Sequence, residues 1–100
     1  MANEVSIDEL HDSLAEGVFL IDVREIGEYQ SGHVPGAKHI PLGSLHENLN
    51  EILKDQQVWV ICQSGGRSMK AANALEGLGY SAVSVAGGTG AWIESGRQTA

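Results

Sequence analysis

The stretch that most constrains this chain is an apolar, β-branched run that ends in a cysteine and continues into a glycine-rich loop. Residues 58–61 (VWVI) predict a buried strand, and Cys62 stands where that strand ends. Residues 63–68 (QSGGRS) make the loop, and residues 69–78 predict the helix that follows it. Backbone N–H groups of such a loop, and of the helix start, point inward and favour an anion or a thiolate. The only cysteine of the chain therefore lies in a predicted anion-binding turn, which indicates a functional site.

The rest of the sequence alternates strand patterns with helix patterns. Ser6 and Glu9 form a capping box before the first helix, and the apolar run 18–23 is typical of a strand buried on both faces. These patterns predict an α/β fold, with residues 1–100 as a single domain around a mostly parallel central sheet of four or five strands and helices on both faces. The predicted strands are 18–23, 38–40, 57–61 and 80–85, and the predicted helices are 7–15, 24–30, 42–53, 69–78 and 89–95.

Charge and cysteine content argue against several classes of function. Six basic and thirteen acidic residues give a formal net charge of -7, which argues against nucleic-acid binding and against anionic membranes. Neither a secretory signal nor an apolar run of membrane-spanning length is visible, so we expect a cytoplasmic protein. A single cysteine cannot form an intramolecular disulfide, which fits a reducing compartment. It also lacks the second thiol that a thioredoxin-type cycle requires.

The loop contains the groups that a reactive sulfur requires. The nucleophile is a thiolate, which the loop amides, the helix dipole and Arg67 all favour. Gly65 and Gly66 are expected to adopt left-handed dihedral angles and to let the backbone approach the sulfur. Gln63 and Ser64 add further amides and side-chain donors. Such a cradle would also stabilise a cysteine persulfide, whose outer sulfur carries the negative charge. An inert buried thiol is the alternative interpretation.

Four motifs, of which the Cys62 loop is one, occur in a characteristic order along the chain. Residues 62–68 read CQSGGRS, residues 21–29 contain DVRE and EY, residues 32–42 contain GHVPGA and IPL, and residues 71–92 contain AA, GG and AW. In this order they resemble the C-x-x-G-x-R-S, D-V-R-E…E-Y, G-H-I-P-G-A…I-P-L and closing motifs of the rhodanese homology family, in particular of its small single-domain members. The resemblance extends over residues 21–92, which is most of the chain.

The resemblance implies sulfurtransferase chemistry that needs no metal and no organic cofactor. The Cys62 thiolate would attack the sulfane sulfur of thiosulfate or of a persulfide, and a Cys62 persulfide would form. A thiophilic acceptor, cyanide in the test tube or a thiol in the cell, would then remove the outer sulfur. Arg67 would hold anionic donors, and a salt bridge to an acidic neighbour is its alternative role. Family members that favour thiosulfate often carry more than one basic residue at the loop, so a low-molecular-weight or protein persulfide is the expected better donor.

Two other functions stay open from the sequence. A sulfur-carrier or docking module would take persulfide from a partner protein and hand it on, with negligible turnover of free thiosulfate. Cys-dependent phosphatases and arsenate reductases use C-x5-R, whereas only four residues separate Cys62 from Arg67. The shorter loop gives a smaller ring of amides, which suits a single sulfur atom better than a tetrahedral oxyanion.

Residues outside the Cys62 loop are assigned supporting roles. Asp22 and Arg24 follow another predicted strand at the same sheet edge, and the resemblance suggests that they brace the site through an ion pair or hydrogen bonds. His33 is expected to satisfy backbone groups of its turn rather than act as a general base. Ser68 is expected to cap the helix N-terminus. No metal-ligand spacing links the other histidines, which are His11, His39 and His46. The expected core aromatic residues are Phe19, Trp59 and Trp92.

Overall fold

The computed structural model describes residues 1–100 and contains one sheet with helices on both faces. The strands are β1 (Asn3–Val5), β2 (Phe19–Asp22), β3 (Lys38–His39), β4 (Val58–Ile61) and β5 (Ala82–Val85). The α-helices are α1 (Ile7–Leu14), α2 (Ile26–Gln30), α3 (Gly66–Gly77) and α4 (Gly88–Glu94), and none of them is long and apolar enough to span a membrane. The strand order is β1-β5-β4-β2-β3 and every pairing is parallel, which confirms the predicted α/β fold.

Strand β4 lies at the centre of the sheet and supplies side chains to two separate cores. Val58 and Val60 pack in the cluster that includes the buried face of α3. Trp59 and Ile61 pack in the cluster that includes side chains of α1 and α4. A central parallel strand covered on both faces needs apolar residues at every position, which explains the uninterrupted run. Because side chains alternate along a strand, the next residue, Cys62, falls on the α3 face.

The predicted capping box is present, and the three aromatic residues expected in the core pack within or against it. Ser6 and Glu9 form the capping box, with the Glu9 N–H 3.0 Å from Ser6 Oγ and the Ser6 N–H 2.9 Å from Glu9 Oε1. Trp59 and Trp92 are buried, and Phe19 is half-buried against the cluster on the α3 face. These residues follow sequence patterns that depend on local hydrogen bonding or on burial alone.

Three elements differ from the sequence prediction. Strand β1 was not predicted, because three residues at the sheet edge are too few to show an alternating pattern. The apolar stripe over 42–53 forms two short 3-10 helices, Leu42–Ser44 and His46–Glu51, and the non-helical φ of -120° at Asn48 interrupts the second. Helix α3 begins at Gly66 instead of residue 69, so the last part of the loop lies in the first helical turn.

Candidate active site

Cys62 directly follows β4 at the carboxyl edge of the sheet, between the ends of β2 and β5. This is the edge at which ligands bind in open parallel sheets. Cys62 is a free cysteine and is only 1% exposed, because the loop and the start of α3 cover it. A reagent must therefore be small or slender to reach the sulfur.

The sulfur of Cys62 is surrounded by hydrogen-bond donors. The N–H of Gly65 points at Sγ from 3.1 Å, and the hydroxyl oxygen of Ser68 lies 3.4 Å from it. Burial raises the pKa of the Cys62 thiol, but hydrogen bonds from the Ser68 hydroxyl and from the N–H groups of Ser68, Gly65 and Ser64 outweigh burial. The pKa of Cys62 is therefore lowered below its ordinary value, and the thiolate is the favoured form over a wider pH range.

The turn that creates this environment depends on Gly65. Its φ of +115° lies in the region that favours glycine, and this residue is the N-cap of α3. The expectation of left-handed dihedral angles holds for Gly65 but is wrong for Gly66, which has no positive φ and begins the helix. The expectation that Ser68 caps the helix is also wrong, because Ser68 lies inside the first turn and no side chain caps α3.

The Ser68 hydroxyl instead faces the site interior. It lies 3.1 Å from the Gly65 carbonyl oxygen and 2.8 Å from Ser84 Oγ, and both serines are fully buried. While Cys62 is a thiol, Sγ donates to Ser68 Oγ and Ser68 donates to the Gly65 carbonyl oxygen. A serine hydroxyl has one hydrogen, so when Cys62 is ionised Ser68 can turn that hydrogen from Gly65 to the thiolate while Ser84 donates to Ser68. Sequence reasoning missed Ser84, although a lone hydroxyl inside the buried strand Ala82–Val85 was a visible signal.

Arg67 is engaged by an acidic residue of α2. Its two terminal guanidinium nitrogens donate to Glu28 Oε1 at 2.7 Å and to Oε2 at 2.8 Å, a bidentate pair between residues 39 apart. The hydrogen bond from Arg67 holds the pKa of Glu28 down at about 2, and Glu28 in turn raises the pKa of Arg67. The salt bridge that the sequence offered as the alternative role of Arg67 is therefore present, with a partner that sequence reasoning did not name.

A second, buried ion pair connects the neighbouring strand end to the loop. Arg24 donates to the Asp22 carboxylate from Nε and from a terminal nitrogen at 2.8 to 3.1 Å, and both residues are buried. The other terminal nitrogen of Arg24 donates to the Gln63 side-chain oxygen at 3.0 Å. Arg24 also donates to the carbonyl of Gly32. The sequence-predicted residues Asp22, Arg24 and Gln63 are thus brought together.

His33 contacts its own turn and lies outside the sulfur's immediate contacts. Its Nδ1 is 2.9 Å from the Tyr29 carbonyl oxygen, and its ring stacks on the Tyr29 ring with centroids 3.7 Å apart. Its backbone exchanges hydrogen bonds with Ala100 at 3.3 and 2.8 Å. These contacts position the turn beside Gly32, whose carbonyl accepts the Arg24 hydrogen bond.

The start of α4 braces the loop through main-chain atoms. The N–H of Thr89 donates to the Cys62 carbonyl at 2.8 Å, and the N–H of Gly90 donates to the Gln63 carbonyl at 3.0 Å. Gly88 makes this contact possible, since a Cβ at that position would lie 2.5 Å from the Cys62 carbonyl oxygen. The loop is therefore held by main-chain hydrogen bonds from the start of α4 and by the side-chain hydrogen bond from Arg24.

A cavity of about 260 Å³ lies apart from these residues. It contains none of the Cys62 loop and is lined by His11, Leu14, Pro35, Trp92, Arg97 and Gln98. The Arg97 guanidinium there donates to Asp8 at 2.6 Å and lies 5.5 Å from the Trp92 ring centroid. The chemistry of the thiol, and not the size of a cavity, therefore locates the candidate site.

The geometry matches a known family over nearly the whole chain. The family model described as Rhodanese-like domain matches residues 6–95. The chain belongs to the rhodanese-like domain family. A rhodanese-related protein of Thermoplasma volcanium has the same fold, with a TM-score of 0.91, 31% identity, and coverage of 98% of this chain and 97% of that one.

Two curated relatives of this rhodanese-like domain have names from sulfur chemistry. A protein of Allochromatium vinosum named sulfurtransferase is 36% identical over 99 residues, which cover 96% of this chain and 92% of that protein. YrkF of Bacillus subtilis strain 168, named as a candidate sulfur carrier protein, is 41% identical over 68 residues. That match covers 68% of this chain but only 37% of the length of YrkF.

Proposed function

We propose that this rhodanese-like domain is a sulfurtransferase that moves sulfane sulfur through a Cys62 persulfide. The observation that carries the proposal is the sulfur environment, in which the Gly65 N–H and the Ser68 hydroxyl stabilise negative charge on Sγ. The same donors suit the thiolate before transfer and the anionic persulfide after it. The family membership and the relatives' names support the same chemistry.

The proposed reaction has two balanced steps. The Cys62 thiolate attacks the outer sulfur of thiosulfate, the bond between the two donor sulfurs breaks, and sulfite leaves with the electron pair. With a persulfide donor, the leaving group is the donor's thiolate. A thiolate or cyanide acceptor then attacks the outer sulfur of the Cys62 persulfide, and the Cys62 thiolate is regenerated. The chemistry uses no metal and no organic cofactor.

The carboxyl-edge residues would divide the work between them. Cys62 is the nucleophile, and the donors from Gly65 and Ser68 hold the charge on sulfur. Asp22, Arg24 and His33 support the loop from the adjacent strand end and turn. Gly66 and Ser64 complete the backbone path of the loop around the sulfur.

The direct test is sulfur loading followed by turnover. Intact mass after incubation with thiosulfate or a persulfide should show one added sulfur, and cyanide should release it as thiocyanate. Because Cys62 is the only cysteine, the Cys62→Ser variant should show neither signal. Wild-type protein with an accessible thiol that shows neither loading nor thiocyanate would refute the proposal.

A sulfur carrier that receives persulfide from a partner protein is the second candidate function. The Arg67 guanidinium, neutralised by Glu28, disfavours free anionic donors, and the relative YrkF is named for a carrier role. A carrier would load from a cysteine desulfurase yet turn over free thiosulfate negligibly. Comparing thiosulfate, glutathione persulfide and a loaded desulfurase under identical conditions separates the two functions.

Phosphatase or arsenate reductase chemistry is the least supported function. Four residues lie between Cys62 and Arg67, and the Arg67 fork that would bind an oxyanion is occupied by Glu28. We expect no turnover of an aryl phosphate or of arsenate by the wild-type protein. Reproducible release of phosphate that depends on Cys62 would contradict this expectation.

A further inference from the structure

An ion pair joins Glu28 of α2 to Arg67, which lies in the first turn of α3 directly after the Cys62 loop. We propose that Glu28 is a specificity-determining residue. It neutralises the positive charge of Arg67, so that the site selects sulfur donors of low charge over the thiosulfate dianion. This inference rests on the proposed sulfur-transfer function. It assigns that function a donor class: neutral and singly charged sulfane-sulfur donors in preference to dianions.

Glu28 binds the Arg67 guanidinium with both carboxylate oxygens and stays ionised. Both carboxylate oxygens accept from the guanidinium, and Oε1 also accepts the backbone N–H of Glu25 at 3.0 Å. The pKa of Glu28 of about 2 keeps this carboxylate ionised at every pH at which a thiolate can react. A third of each side chain is exposed, at 37% for Arg67 and 34% for Glu28, so an approaching donor meets the pair and not a bare cation.

No other cation at the loop compensates for the loss. Arg24, which donates to Gln63 of the loop, is buried and paired with Asp22. Glu25 adds a further acidic group that acts on Arg67, as does Cys62 itself. Lys70 is the next basic residue along α3 and points to solvent. With both arginines neutralised and a net charge of -7 over the chain, a dianion approaching an anionic sulfur is repelled.

The charge of the donor enters the reaction at its first step. In that step the Cys62 thiolate forms a bond to the outer sulfur of the donor while the donor's own sulfur–sulfur bond breaks. Thiosulfate carries two negative charges into this step and releases sulfite, whereas an alkyl thiosulfonate carries one and releases a sulfinate. The two donors present the same sulfane sulfur, so the difference between them isolates the effect of charge.

The test variant is Glu28→Gln, which removes the charge but keeps an oxygen that can accept the Glu25 N–H. The matched control is Glu51→Gln, which removes the same charge from another half-exposed ion pair, Glu51 with Lys38 at 3.1 Å. By Coulomb's law in a water-like dielectric, a unit charge at a separation of about 6 Å changes the rate of a monoanion about threefold and that of a dianion by the square of this factor, about tenfold.

The first measurement does not depend on sulfur transfer. The rate of Cys62 alkylation by anionic iodoacetate is divided by the rate with neutral iodoacetamide at one pH, so that the thiolate fraction cancels. This ratio should rise about threefold in Glu28→Gln and stay unchanged in Glu51→Gln. The rise should diminish as salt is added, because screening weakens exposed charges. An unchanged ratio in Glu28→Gln would overturn the proposal.

The second measurement compares donors. In Glu28→Gln, kcat/KM with thiosulfate should rise about tenfold and kcat/KM with methanethiosulfonate about threefold, with no change for either donor in Glu51→Gln. Equal effects on the two donors, or a fall with thiosulfate, would overturn the donor selection. A raised alkylation ratio without persulfide formation from any donor would support the neutralisation of Arg67 by Glu28 but refute the proposed sulfur-transfer function.

Discussion

Replacing Ser68 with alanine should raise the pKa of Cys62. In the wild-type protein the Ser68 hydroxyl lies 3.4 Å from Sγ and is the leading stabilising contact of the thiolate. A hydrogen bond to a charged group contributes about 1.5–3 kcal/mol, and 1.36 kcal/mol corresponds to a tenfold change in the ionisation constant. Losing this bond should therefore raise the pKa of Cys62 and lower its ionisation constant about tenfold or more.

The direction follows from which protonation state the hydroxyl stabilises. Ser68 donates to the thiolate, so its removal disfavours the charged form, while the burial that already raises the pKa of Cys62 stays in place. At a pH below both pKa values, the thiolate fraction falls in proportion to the change in the ionisation constant. The rate of alkylation should then drop about tenfold or more.

The assay is the pH dependence of Cys62 alkylation by iodoacetamide, which is uncharged and follows the thiolate fraction. Ser64→Ala is the matched control, because Ser64 acts on the sulfur through its backbone N–H alone and its side chain is exposed. The Ser68→Ala protein must also be checked by urea unfolding, since the buried Ser84 hydroxyl loses its partner at a cost of about 1–3 kcal/mol. A folded Ser68→Ala protein with an unaltered alkylation profile would refute this account of the thiolate.

Three further predictions concern residues around the loop. Ser84→Ala should raise the pKa of Cys62 by less than Ser68→Ala does, because Ser84 acts only through Ser68; the same alkylation profile measures it, and an equal or larger rise would contradict the relay. Gly88→Ala should lower the free energy of unfolding, measured with urea, by about 2–4 kcal/mol, because Gly88 has a φ of +57° and the added Cβ would lie 2.5 Å from the Cys62 carbonyl oxygen. Gly17→Ala is the control, because Gly17 has a φ of +84° but nothing within 4 Å of an added Cβ, and the loss there should be about 1–2 kcal/mol. The pKa of Glu28 is lowered from 4.5 to about 2, so its carboxylate contributes stability above pH 4.5 that is lost as the pH falls towards 2. Solvent screening limits this contribution to about 1 kcal/mol. In acid unfolding, Glu28→Gln should lack this part of the pH dependence of the free energy of unfolding.

The parts of the fold that sequence patterns predicted are those set by local rules. The continuous apolar run before Cys62 follows from a central strand buried on both faces, and the capping box follows from residues three apart. Strand β1 gave no such signal, because its residues are mostly exposed and its only partner is β5, some 80 positions away. The stripe over 42–53 has helical spacing of apolar residues, but burial against the α3 face is satisfied by two short 3-10 turns.

The same distinction holds at the site. The loop, the cysteine and the ion pair of Asp22 with Arg24 could be predicted because they lie within short motifs. The partner of Arg67 could not, since Glu28 is 39 residues away and which carboxylate reaches the guanidinium depends on how α2 packs beside α3. Ser68 was misassigned for a related reason, because the helix begins at Gly66, three residues earlier than predicted, and the Ser68 hydroxyl faces inward.

The main-chain brace from α4 has a consequence for how this site can change during evolution or protein engineering. The carbonyls of Cys62 and Gln63 are held by N–H groups of Thr89 and Gly90, atoms that nearly every amino acid possesses. At the exposed position 64 the path of the loop is therefore independent of the side chain, whereas the Gln63 side chain also accepts a hydrogen bond from Arg24. Position 64 can therefore be diversified in a library to alter the accepted donor, while Gly88 must be kept constant because no side chain fits against the Cys62 carbonyl.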